Sequence, residues 1–257
     1  MFDTGDSRIQ FSQKDHIAVI TLVRPEKLNA LDLPMIAALE KAAHLIDADN
    51  MIKAAIITGE GDRAFCAGGD IAAWSALEAE SFGLQWVRIG HRAFDALTRL
   101  RVPLIAALNG SVMGGGLELA ATADFRIAEE HIKFSLPETG LGIIPGWSGT
   151  QRTVKRFGSQ IIRRMALAGE TFNAAEGVQH GLADQLIAKG GSFSAAMVLA
   201  ETIAKRSAFA TSAVKMLINA ADGEDGPRAL EALGGIAVAH STELKAGLAA
   251  FAAKKKS

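Results

Sequence analysis

The chain has 257 residues, 49% of them hydrophobic, a formal net charge of −1 and a mean hydropathy of +0.20. Such a chain supports one large core or two small ones, and its near-zero charge argues against a general nucleic-acid binder. The single cysteine, Cys66, excludes an intrachain disulfide and a Cys-rich metal site.

The N-terminal stretch MFDTGDSRIQ holds two acids and no apolar h-region, and it is not Arg-rich. No uninterrupted apolar run reaches the roughly 18 residues of a spanning helix. The expectation is a soluble, cytoplasmic protein that binds neither membrane nor nucleic acid. Residues 8–11 and 16–22 are β-branched and apolar and predict strands. Arg24-Pro25-Glu26-Lys27 then predicts a turn. Leu33 to Ala48 has helical periodicity, with Leu39, Ala42, Ala43 and Ile46 on one face, Asp32 as N-cap and Pro34 in the first turn. A continuous apolar run over 52–58 predicts a buried strand. AFCAGGDI (64–71) follows a turn at 59–63 and leads into a helical region ending near residue 100.

The arrangement recurs. VPLIAAL (102–108) is a strand, then a glycine turn, then a helix; DFRIAEE (124–130) is a strand, then a Pro/Gly-rich loop over 137–149, then a helix. After about residue 150 strand signals nearly vanish, and 158–168, 173–180, 193–205, 207–221 and 226–253 predict helices. Leu244, Leu248 and Phe251 share one face of the last. Strands alternating with helices indicate an α/β layered fold, here an α/β core over 1–195 and a helical C-terminal region over 196–257.

AFCAGGDI and GSVMGGGLEL (110–119) each follow a strand and open a helix. At a helix start the first N–H groups lack partners and the dipole is positive, and glycine lets a ligand approach that backbone closely. Two such turns facing one point would make an oxyanion hole; the alternative is that the glycines only permit tight packing. Glu118 lies one turn beyond Gly115 and can share that face. Glu138 is a second acid, in a loop otherwise apolar and glycine-rich, and is either functional or a helix cap.

Other motifs fail. Neither glycine stretch matches a phosphate-binding loop, and no zinc-type spacing appears among the six histidines. Gly146-Trp147-Ser148-Gly149 is one residue short of a nucleophile elbow. Cys66 has no adjacent histidine to activate it as a nucleophile. His91 and His131 read as surface or packing residues, and Lys254-Lys255-Lys256 as a solvated tail.

AFCAGGDI, NGSVMGGGLELA and FSLPETGLGIIPGWSGTQR, in that order and after RPEKLNALD (24–32), resemble the crotonase (enoyl-CoA hydratase/isomerase) superfamily over almost the whole chain. The resemblance implies a spiral of ββα units with a helical trimerisation region, assembled as a homotrimer or a dimer of trimers. It implies an acyl-CoA thioester substrate, with coenzyme A as part of the substrate and no separate cofactor or metal. The oxyanion hole would be the backbone N–H groups of Gly69 and Gly115. Lys27, Leu28, Ala64, Ala67, Gly68, Asp70 and Ile71 match positions along the CoA path, and Phe251 and Lys254 match an aromatic and a lysine that help hold it. Glu118 and Glu138 match the two glutamates that hold water in hydratases. The resemblance therefore favours hydration of a trans-2-enoyl-CoA in fatty-acid or related acyl-CoA breakdown. Glu118 would be base on the water, and Glu138 would contact that water and protonate the α-carbon. The alternatives are an enoyl-CoA isomerase or other crotonase-type reaction, with Glu138 shuttling the proton and Glu118 a bystander, and a non-catalytic acyl-CoA-binding or RNA-binding scaffold. The retained glutamates and the net charge speak against the scaffold. One departure is Trp147-Ser148, where relatives often carry a small residue and glycine. Trp147 either narrows the acyl pocket or packs under the loop. Trp74 and Trp86 either line that pocket or belong to the core.

Overall fold

Each buried strand foreseen in the first half of the chain is followed by a shorter strand that joins a different sheet. The computed structural model describes residues 2–254, without the side chains of residues 247 and 250–254. Antiparallel β1 (Ile9–Lys14) and β2 (Ile17–Leu22) lead into α1 (Leu33–Ala48). Next come β3 (Ala54–Gly59), β4 (Ala64–Cys66), α2 (Ile71–Trp74), α3 (Ala79–Ser81), a π-helical turn over Phe82–Val87, and α4 (Arg88–Thr98). β5 (Leu104–Leu108), β6 (Ser111–Met113) and α5 (Gly115–Ala120) repeat the unit. β7 (Phe125–Glu129) and β8 (Lys133–Ser135) start it again and lead, through a short 3-10 turn at Glu138–Leu141, to α6 (Arg152–Phe157) and α7 (Ser159–Ala168).

The first strand of each unit enters a six-stranded sheet of order β1-β2-β3-β5-β7-β10, where β10 is Gln185–Ile187. The second enters a four-stranded sheet of order β4-β6-β8-β9, where β9 is Phe172–Asn173. Every pairing from β2 to β10, and from β4 to β8, is parallel. Each residue of β3 and β5 is buried, as continuous apolar runs between two covered faces should be. One face carries Ala55, Ile57, Leu104 and Leu108 in a core shared with α1 and α4. On the other, Ala196, Ala200 and Ile203 of α9 (Ser192–Ala204) pack on Ile56, Ile105 and Ile127.

α1 forms where its pattern predicts. Asp32 caps it by accepting the Met35 N–H at 3.1 Å, Pro34 sits in the first turn, and Leu39, Ala42, Ala43 and Ile46 are buried. Elsewhere the structure corrects the reading. Strands do continue beyond residue 150: β9 and β10 have two and three residues, too short for a periodic signal. α8 (Ala174–Gln179) lies between them. After α10 (Ala208–Ala221), the helix expected over 226–253 is two, α11 (Gly226–Ala239) and α12 (Thr242–Lys254). The expected division at 195/196 falls inside α9. Among the described residues no helix is long and apolar enough to cross a membrane.

Candidate active site

Parallel pairing of β4, β6 and β8 sets their C-terminal ends in a row. The three following turns meet there: Gly68-Gly69, Gly114-Gly115 and Pro137-Glu138. The glycines are required for separate reasons. Gly68 has φ +95°, and a Cβ on it would fall 2.8 Å from the backbone nitrogen of Gly115, so the two turns touch through their backbones. Gly114 has φ +53°, and a Cβ there would fall 2.8 Å from Oε1 of Glu138. A Cβ on Gly116 would fall 2.0 Å from the Cys66 carbonyl oxygen, so this glycine permits α5 to press against β4. Among the described residues the N–H groups of Gly69 and Gly115 have no acceptor.

Glu118 is 2% exposed. Its Oε1 accepts two backbone N–H groups, from Trp147 and Gly149, each at 2.6 Å. Burial, helped by the charge of Glu138, pushes the Glu118 carboxyl up to about 8 against those two donors and the more distant Arg152. Glu138 is buried too, and burial raises its carboxyl. Its Oε2 has no hydrogen-bond partner among the described residues. The two N–H donors favour the anion on Glu118 without overcoming burial, so the group takes up a proton as pH falls through about 8 and can act as a base in its ionised form. Both glutamates and both glycine turns line one cavity of about 90 Å³. Ile71, Leu141 and Ile144, all exposed, stand at its rim.

Trp147 both packs beneath the loop and lines the cavity. It is 2% exposed, packed 5.2 Å from the ring of Trp86 and 5.3 Å from that of Phe94. Trp74 and Trp86 line the cavity as well. Burial pushes the Cys66 thiol up to about 12, which leaves it inert as a nucleophile.

The turn at residues 24–32 is tied to AFCAGGDI. Leu31 donates to the Gly68 carbonyl at 2.8 Å, Asp70 to that of Leu31 at 2.7 Å, and Ala67 to that of Leu28 at 3.0 Å. This brings Lys27, Leu28, Ala67, Gly68, Asp70 and Ile71 together. Burial of Asp70 is outweighed by Lys27 at 3.2 Å and Arg24 at 2.8 Å, which hold its carboxyl below the ordinary range. Ala64 stands apart: it is buried in β4, against Gly110, and does not line the cavity. The side chains of Phe251 and Lys254, and all of Lys255 and Lys256, lie outside the described residues.

Sequence reasoning missed the support behind the loop at 145–151. His91 is half-buried, as a packing residue can be, and its Nδ1 lies 3.0 Å from Oγ of Ser148, whose φ is +83°. Arg152, 3% exposed, binds Glu224 at 2.8 Å and Asp95 at 2.6 Å. These partners are 57 and 72 residues away in sequence, and no local spacing announces them. His131, as expected, is partly exposed and contacts the Asp62 carbonyl.

The family model for enoyl-CoA hydratase/isomerase matches residues 12–257. The chain is 37% identical over 182 residues to a crotonyl-CoA hydratase of Syntrophomonas wolfei, covering 70% of this chain and 68% of that one. It is 32% identical over 216 residues to a short-chain-enoyl-CoA hydratase of Clostridium acetobutylicum, covering 83% and 81%. The crystal structure of an enoyl-CoA hydratase from Bacillus anthracis superposes with a TM-score of 0.80 at 29% identity, covering 96% of this chain and 97% of that one. The paired-strand architecture is the crotonase fold, and the chain belongs to the enoyl-CoA hydratase/isomerase family of the crotonase superfamily.

Proposed function

We propose that the protein is an enoyl-CoA hydratase, adding water across a trans-2-enoyl-CoA to give a 3-hydroxyacyl-CoA. One observation carries the reading: two buried carboxyl groups, Glu118 and Glu138, face one cavity beside two backbone N–H groups that have no acceptor among the described residues. An isomerase needs one proton shuttle, whereas addition of water needs a base for the water and an acid for the carbon.

In this reading the thioester oxygen accepts the N–H groups of Gly69 and Gly115. Glu118 takes a proton from water as its oxygen bonds to the β-carbon, and the electron pair moves to the thioester oxygen. The resulting enolate holds more charge than the substrate, so the two donors act mainly on the transition state. Glu138 delivers its proton to the α-carbon as the enolate collapses. Proton transfer from Glu118 to Glu138 resets the pair. Lys27 and the 67–71 turn line the way in for CoA, with Phe251 and Lys254 assigned to the same role; CoA arrives as part of the substrate. Exposed Phe209, Leu217, Leu230, Val238 and Leu248 on α10 to α12 support assignment of the helical region to assembly as a trimer or a dimer of trimers.

The test is loss of conjugated thioester absorbance with crotonyl-CoA, beside Glu118→Gln and Glu138→Gln. Turnover lost in both folded variants supports the two-glutamate hydratase. A folded wild type that leaves crotonyl-CoA untouched and shifts the double bond of a β,γ-enoyl-CoA overturns it.

A further inference from the structure

The indole of Trp147 is wedged between a helix and the oxyanion turns. On one side is Gly90 in α4, where a Cβ would fall 2.1 Å from the indole Nε1 and 2.3 Å from Cδ1. On the other, a Cβ at Gly115 would fall 2.7 Å from Cζ3, and one at Gly69 would fall 3.3 Å from Cη2. Trp86 adds a second ring, its Cζ2 2.7 Å from the same point above Gly69. The Trp147 Nε1–H donates to the Trp86 carbonyl at 3.3 Å, and Phe94 packs against the ring at 64°. Any larger residue at 90 would take the place of the ring. Gly90 is thus a notch in α4, and it seats an indole against both glycines that carry the candidate donors.

We propose that Trp147, held in the Gly90 notch, is the floor of the acyl pocket and confines the enzyme to short, crotonyl-class acyl groups. The proposal rests on the acyl-thioester reading of this site and deepens it. A thioester oxygen at Gly69 and Gly115 places the acyl chain beside the glutamates. The Trp86–Trp147 pair, which lines the same cavity as both glutamates, then stands where a long chain would continue. Buried and hydrogen-bonded at its nitrogen, the indole has a fixed position.

The experiment is a chain-length series on wild type, Trp147→Leu, Gly90→Ala and the double variant, each checked for folding by thermal melt. Turnover is measured with crotonyl, hexenoyl and decenoyl thioesters of CoA, and binding of butyryl-, hexanoyl- and decanoyl-CoA by calorimetry. In wild type, kcat/KM falls about 10- to 100-fold from crotonyl to decenoyl, and Trp147→Leu raises the decenoyl-to-crotonyl ratio by a similar factor. Gly90→Ala pushes the indole over the donors and lowers crotonyl turnover about tenfold or more, and Trp147→Leu in the same chain restores it, a non-additivity that a general loss of packing does not produce. Equal handling of all chain lengths by wild type, or an unchanged ratio in Trp147→Leu, overturns the floor while the hydratase reading stands. If no enoyl thioester is hydrated, yet the saturated series binds in the order short over long and Trp147→Leu reverses it, the hydratase reading falls and the floor stands.

Discussion

The backbone N–H of Gly149 lies 2.6 Å from Oε1 of Glu118, and it shares that oxygen with the N–H of Trp147. The carboxylate is thereby oriented by a loop rather than by another side chain. The bonds do not depend on what residue 147 carries, so side-chain changes there alter the pocket and leave the base in place. Replacing Glu118 by Gln keeps an acceptor for both donors and removes the base. Glu138→Gln removes the proton source. Each is expected to lower kcat on crotonyl-CoA by about 10²- to 10⁴-fold with the fold retained. Steady-state kinetics alongside circular dichroism would check this.

Stability should respond to pH through the same residue. The folded Glu118 carboxyl, at about 8, sits above its ordinary value of 4.5. Between those values the folded chain keeps a proton that the unfolded chain has released, so stability falls as pH rises through the window. Below it both states are protonated and the penalty is absent. Glu118→Gln has no such proton. The variant should therefore be more stable than wild type at pH 8, by on the order of a few kcal/mol, and close to it near pH 4.5. Urea titrations at both pH values decide it; a constant difference would mean that Glu118 does not titrate in this range.

Gly114 separates conformation from chemistry at this site. Its φ of +53° disfavours any side chain, and a methyl group would fall 2.8 Å from Glu138 Oε1. Gly114→Ala should destabilise the fold by about 1–3 kcal/mol and displace the Glu138 carboxyl. Activity should fall further than stability, so crotonyl-CoA turnover remains depressed at temperatures where the variant is fully folded.

The elements legible in sequence were those with a long, uniform environment. β3 and β5 are buried on both faces and read as apolar runs; α1 has a cap, a first-turn proline and a periodic stripe. The second sheet was not legible. β4, β6 and β8 have three residues each, too few for a periodic signal, and run directly into glycine-rich turns. Glu118, Glu138 and the two glycine turns could be singled out because charge and glycine are anomalous in apolar surroundings. Gly90, His91 and Arg152 could not, since each matters through partners that only the tertiary fold supplies.

Arg152 shows how such a partner can be weighed. It receives two carboxylates, and they are not equivalent. Glu224 meets it through two bonds, at 2.8 and 3.1 Å, with a side chain only 9% exposed; Asp95 meets it through one, at 2.6 Å, with 30% exposed. Arg152 holds the Glu224 carboxyl below its ordinary range although burial opposes this. Breaking a buried pair leaves the remaining charge uncompensated, a loss of about 3–5 kcal/mol, whereas exposed pairs contribute about 0–1 kcal/mol. Glu224→Gln should therefore destabilise by about 3 kcal/mol and Asp95→Asn by clearly less. The Glu224 contribution should also vanish as pH falls below its ordinary value of 4.5 and through its lowered folded value. Because Arg152 opens α6 directly after the loop that orients Glu118, Glu224→Gln should also lower kcat on crotonyl-CoA under folded conditions. Equal destabilisation by the two variants in urea would show that the second bond and deeper burial of Glu224 add nothing.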